Sequence, residues 1–212
     1  MLALLSHLQS MLPAATAQRI LVVNGHPDPR PERFCAAVCA AYAKGARTSG
    51  FRTRRLDIGR QGLPFEVWKS GAGVQGDLAQ MLEGIWWADR LFVVYPMWFD
   101  GPPPALKFLF DAFAERRASE KSLFGAGELQ VEDREARVVV TTSLPALLYR
   151  AGTGKVATPL PGLRIAQSTY IGSVDTISPA DRGRWLDRIY TLGLREKRNP
   201  RRQKSAAERP VS

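Results

Sequence analysis

An α/β fold, with a doubly wound parallel sheet covered by helices on both faces, is predicted by three features of the sequence. Short continuous apolar runs alternate along the chain with stretches whose apolar residues recur at three- and four-residue steps. The length of 212 residues, 45% hydrophobic and 24% charged, suits one well-buried domain. Between residues 91 and 113 an apolar run, Leu91 to Tyr95, stops at Pro96. It passes through an aromatic loop into a helix opened by Pro102 to Pro104, with Leu106, Leu109, Phe110 and Phe113 at helical spacing.

Each element has its own signal. Arg19 to Asn24 is a β-branched apolar run and reads as a buried strand. Arg33 to Ser49 is Ala-rich and helical, ended by Gly50. Phe51 to Asp57 alternates apolar and basic residues, the pattern of a strand nearer the sheet edge. Residues 59–76 form a long loop with several Gly and Pro. Asp77 is placed to cap a helix running to Ala88. A third strand follows at Arg90 to Tyr95, and a third helix at Pro103 to Arg117. Ser119 to Arg134 is polar and poorly patterned, the mark of an excursion or short hairpin. Strands at Ala136 to Thr142 and Leu163 to Val174 complete the sheet. Pro179 to Leu192 closes the fold as a helix, with Ser178 as cap and Pro179 at its first position. Strands alternating with helices require right-handed crossovers and a parallel sheet.

Composition narrows the function. Cys35 and Cys39 stand four apart, which matches neither a CxxC redox pair nor a zinc knuckle. Two small buried thiols in a reducing compartment are expected, and no metal. Of the net charge of +10, residues 195–212 hold seven Lys/Arg against two Asp/Glu, a net of +5. That segment reads as a solvated basic tail, able to touch an acidic partner or an anionic membrane surface. No nucleic-acid reading module accompanies it, so no specific nucleic acid is expected. Residues 1–18 read as an N-terminal extension, and residues 19–194 as the domain. The apolar start lacks a preceding Lys or Arg and is interrupted by His7, Gln9 and Ser10, unlike a signal peptide. A cytoplasmic location follows as the expectation.

Three loops leave strands at their carboxyl ends, where doubly wound sheets bind ligands. Gly25 to Phe34 (Gly-His-Pro-Asp-Pro-Arg-Pro-Glu-Arg-Phe) leads into a helix N-terminus, whose free N–H groups suit a phosphate. His26, Arg30 and Arg33 add donors; His26 is alternatively a turn residue bonded to local backbone. The loop matches neither GxGxxG nor a Walker pattern. In the second loop, Trp98 and Phe99 either wall in a flat ligand or serve as core or dimer-interface aromatics. The third, Thr141 to Tyr149, offers small hydroxyl groups to ring carbonyls and nitrogens, and Tyr149 can reach back over the site.

Taken together, His26-Pro27-Asp28-Pro29 with Arg33-Phe34, Tyr95-Pro96-Met97-Trp98-Phe99-x-Gly101 with Pro104-Ala105-Leu106-Lys107, and Val140-Thr141-Thr142 with Pro145-Ala146-x-x-Tyr149 resemble the flavodoxin-like NAD(P)H:quinone oxidoreductases. That family includes the mammalian quinone reductases, bacterial modulators of drug activity and ancillary flavoproteins of potassium efflux. The resemblance spans residues 19–192. It implies a five-stranded sheet in the order 2-1-3-4-5 holding a non-covalent flavin, FMN or FAD. By position, His26, Arg33, Phe34 and Cys35 would surround the flavin phosphate. Pro96, Met97, Trp98 and Phe99 would line the ring edge. Thr141, Thr142, Ser143 and Tyr149 would hold the ring, with Tyr149 also stabilising charge on it. Ping-pong hydride transfer from NAD(P)H to a quinone-like acceptor is implied, in a homodimer. The chain departs from the family at Arg33-Phe34-Cys35, where Ser-Phe-Asn is usual, and at Ser143-Leu144, where the mammalian enzymes carry glycines. Azo or nitro reduction, and a flavin-binding regulatory subunit of a membrane ion-efflux system, are the alternatives. FMN against FAD and NADH against NADPH stay open at this level.

Overall fold

A computed structural model describes residues 18–60, 77–98, 101–128, 134–147 and 160–197. In chain order the elements are β1 (Arg19–Asn24), α1 (Phe34–Thr48), β2 (Arg52–Asp57), a short 3₁₀ turn (Ile58–Arg60), α2 (Asp77–Trp87), β3 (Arg90–Pro96), α3 (Pro104–Glu128), β4 (Arg134–Thr141), β5 (Leu163–Ile171) and α4 (Pro179–Leu194). The five strands are all parallel and lie in the order β2-β1-β3-β4-β5. That is the predicted sheet, and the winding reverses between β1 and β3.

Apolar runs that never alternate with polar residues are explained by burial on both faces. Leu21, Val23, Leu91, Val93, Tyr95, Val138 and Val140 pack under α2 and α3. Their strand neighbours Ile20, Val22, Phe92, Val94 and Val139 pack under α1 and α4. Tyr42 of α1 lies flat on Phe92, ring centroids 3.6 Å apart at 2°. Edge strand β2 keeps Arg52, Arg54 and Arg55 in solvent, and such charges discourage pairing with another sheet.

Helix ends follow their local chemistry. Ser178 caps α4, its hydroxyl accepting from the Asp181 amide at 3.0 Å with Pro179 next in line. Asp77, expected as a cap, is instead the first residue of α2, where its charge suits the helix dipole. The largest departure is α3, which runs on to Glu128, so residues 119–128 continue a helix and form no hairpin. Extending a nucleated helix costs far less than starting one, so weak patterning did not end it. β5 stops at Ile171 because Gly172 begins a turn that carries Ser173 at a φ of 54°.

Candidate active site at the carboxyl edge of the sheet

The carboxyl ends of β1, β3 and β4 form one ledge. Asn24, the last residue of β1, is fully buried and sets the first loop: its Nδ2 donates to Asp57 Oδ1 at 2.8 Å and its Oδ1 accepts from the His26 amide at 3.2 Å. His26 Nδ1 accepts from the Asp28 amide at 2.9 Å, so its remaining proton sits on Nε2. The turn role foreseen for His26 is therefore present, with Nε2–H left as a donor. Burial, reinforced by the Arg33 charge, lowers the His26 pKa below 6.5 and keeps the ring neutral. Gly59 lies so close to Pro27 that a side chain there would strike the Pro27 carbonyl.

The loop delivers Arg33 as the residue before α1, in extended conformation. α1 has no side-chain cap and no acidic residue in its first turn. Its leading N–H groups are thus open to an anion, with the positive end of the helix dipole behind them. Phe34 is half-buried and carries the Arg182 guanidinium 5.0 Å from its ring. Arg182 also donates to the Glu32 carbonyl at 3.0 Å, so α4 props the loop from outside.

Cys35 is buried, its Sγ 3.4 Å from Thr141 Oγ1 at the end of β4. Pro96 ends β3 and pairs in register with Thr141. The Met97 amide donates to the Thr141 carbonyl at 2.7 Å. Thr141 therefore joins all three predicted loops. Trp98 and Gly101 exchange two backbone hydrogen bonds of 3.0 Å, which turns the second loop back on itself. Trp98 is 44% exposed, so it is not a core aromatic. Phe99 and Tyr149, both expected at the site, lie outside the described residues.

Thr142 is buried; its amide donates to the Ile171 carbonyl and its hydroxyl accepts from the Leu144 amide at 3.2 Å. The hydroxyl proton is left for another acceptor. Ser143 is exposed beside it. A side chain at Gly172 would strike the backbone of Ala146 and Leu144, so that glycine lets the third loop fold down on β5.

The donor set fits the anionic tail of a flavin: an uncapped helix N-terminus, a neutral imidazole N–H and a guanidinium on one side, threonine and serine hydroxyls on the other. Among the described residues no group of three His, Cys, Asp or Glu could hold a metal ion, and no helix is long and apolar enough to cross a membrane. Sequence reasoning missed Asn24 and Arg182 as supports. A polar residue closing an apolar strand was a usable signal for the first; nothing local marks the second, 150 residues from its partner carbonyl.

Residues 18–167 match a protein family described as having a flavodoxin-like fold. No curated protein matches the sequence. An NAD(P)H:quinone oxidoreductase from Methanothermobacter marburgensis superposes with a TM-score of 0.61 at 18% identity, over 86% of this chain and 98% of that one. The apo form of an NADH:FMN oxidoreductase gives 0.57 at 16% identity, over 92% and 98%. An azoreductase from Bacillus anthracis str. Sterne gives 0.53 at 15%, over 84% and 100%. At these identities the likeness is one of fold.

Proposed function

The chain belongs to the flavodoxin-like fold family, and from that footing we propose that it is a flavin-dependent NAD(P)H oxidoreductase acting on a quinone or similar flat acceptor. The observation that carries the reading is the meeting at Thr141 of the first, second and third loops, through Cys35 and Met97. A strand edge with three converging loops beside an open helix N-terminus is where this fold class takes a nucleotide-like ligand.

In this reading a bound flavin would supply the hydride chemistry that links NAD(P)H to the second substrate in a ping-pong sequence. The protein binds and orients. His26, Arg33 and the amides of Phe34 and Cys35 hold the phosphate. Pro96, Met97, Trp98 and Phe99 form the wall along the ring, and their apolar surface excludes water from one side. Thr141, Thr142, Ser143 and Tyr149 supply hydroxyl donors, which suit negative charge on a bound ring. No side-chain nucleophile is needed.

The proposal extends to the whole chain. The Glu196 side chain, placed in the tail by the sequence, is buried against Tyr42, Arg90 and Arg137, so the catalytic domain runs over residues 19–197, with 1–18 as an extension and 198–212 as a basic tail open to an acidic or membrane-surface contact. Trp98, Leu144 and Leu147, exposed at 44, 52 and 73%, leave apolar surface on the second and third loops that a second copy would cover, which supports a homodimer. The two free, buried thiols agree with a cytoplasmic setting. Azo compounds are a second acceptor class, favoured by the azoreductase among the structures of like fold. The test is steady-state oxidation of NADH and NADPH with a quinone, an azo dye and a nitroaromatic as acceptors. Parallel lines in double-reciprocal plots support the ping-pong reading. No flavin-dependent turnover with any acceptor rejects it.

A further inference from the structure

The first loop carries its own anion. The Asp28 carboxylate accepts from Arg30 Nε at 2.9 Å and Nη2 at 2.6 Å, and from Arg33 Nε at 2.6 Å. Arg33 Nη2 stands 2.5 Å from the same Oδ2. The carboxylate cannot simply swing away. Its own amide is tied to His26 Nδ1, and its Oδ1 accepts from the Arg30 amide at 3.1 Å. One carboxylate thus holds both arginines of the loop, and one of them is the residue immediately before α1.

A carboxylate and a phosphate compete for the same guanidinium donors. Arg182 is no substitute, since it is committed to the Glu32 carbonyl and the Phe34 ring. We propose that Asp28 is a resident competitor of the cofactor phosphate: phosphate binding takes Arg33 from Asp28, and this exchange sets how strongly the site prefers a phosphorylated flavin. The inference rests on the flavin reading above and names the residue that tunes it. Hydrogen bonds from Arg30 hold the Asp28 carboxyl well below the usual carboxylate range, so the competitor stays charged at any working pH. Were Asp28 only a scaffold for the arginines, its loss would loosen them and weaken phosphate binding. The two roles predict opposite signs.

Fluorescence titration of the full chain with FMN and with riboflavin, which lacks the phosphate, separates them. The variants are D28N, whose amide oxygen can still accept from the Arg30 amide, and E32Q. Glu32 is in no ion pair among the described residues and acts on Arg30 through its charge only, so E32Q reports the loss of one nearby charge without the loss of a guanidinium hydrogen bond. We expect D28N to bind FMN about tenfold more tightly, with riboflavin unchanged to within about twofold and E32Q shifting FMN by no more than about threefold. Weaker or unchanged FMN binding in D28N overturns the proposal, as does an equal gain for riboflavin or an equal effect of E32Q. Wild-type protein that binds neither flavin removes the flavin reading itself, and the proposal with it.

Discussion

Cys35 Sγ rests 3.4 Å from Thr141 Oγ1, although 106 residues separate the two along the chain. The contact pins the first turn of α1 to the end of β4. It places the start of α1, with its candidate phosphate donors, beside Thr141 and Thr142, two of the candidate ring donors.

That position has a chemical consequence for the thiols. Burial pushes the Cys35 thiol up to about 11, and burial raises Cys39 well above the usual range. Neither forms an appreciable thiolate at pH 8. A bulky aromatic disulfide reagent is expected to leave both thiols untouched in the folded protein and to titrate two per chain in denaturant. Fast reaction of either thiol before unfolding contradicts the packing at Thr141.

His26 makes stability depend on pH in a definite direction. Its folded pKa lies below 6.5, mainly through burial, so between that folded value and 6.5 the unfolded chain binds more protons. The stabilising contribution is complete above 6.5 and is lost as pH falls through the folded value. Urea unfolding from about pH 7 down to about pH 5 should show H26Q losing less stability than wild type, because carboxylate titration is common to both. A steeper loss in H26Q contradicts the lowering of the His26 pKa by burial and the Arg33 charge.

Gly172 sets the height of the third loop. G172A is expected to destabilise the fold by about 2 kcal/mol and to weaken flavin binding, because Cβ displaces the backbone at Ala146 and Leu144. Denaturant midpoints and flavin titration check the two parts separately. Wild-type values for both show that the loop does not lie on β5.

At the opposite edge, Glu196 is held by three partners. Its side chain is fully buried, accepting from Tyr42 at 2.7 Å and facing Arg90 at 2.8 Å and Arg137 at 2.5 Å. E196Q leaves two guanidinium groups short of a counter-charge and should cost about 3 kcal/mol in urea unfolding. A change below about 0.5 kcal/mol means that the end of α4 is not anchored to the sheet.

Much of this architecture was legible because burial on two faces writes itself as unbroken apolar runs. The run from Arg19 to Asn24 became β1 at the same bounds, and Ser178-Pro179 marked the start of α4. Residues 119–128 were illegible for the converse reason: a helix without an apolar stripe has no periodic signal. In the site, Thr141 stood out as a hydroxyl closing an apolar strand. Its contact with Cys35, and the arrival of Arg182 beneath the first loop, depend on chain segments brought together by the sheet order, which local pattern does not encode. Asp28 was visible as a loop residue, but its grip on two arginines required their geometry.

The most direct measurement is the flavin content of the purified 212-residue chain after incubation with excess FMN and FAD and removal of free ligand by gel filtration. The account predicts a yellow protein with about one flavin per chain, released on heating and identified against standards, with the intrinsic tryptophan fluorescence partly quenched while it is bound. A folded protein that emerges colourless from both incubations contradicts it.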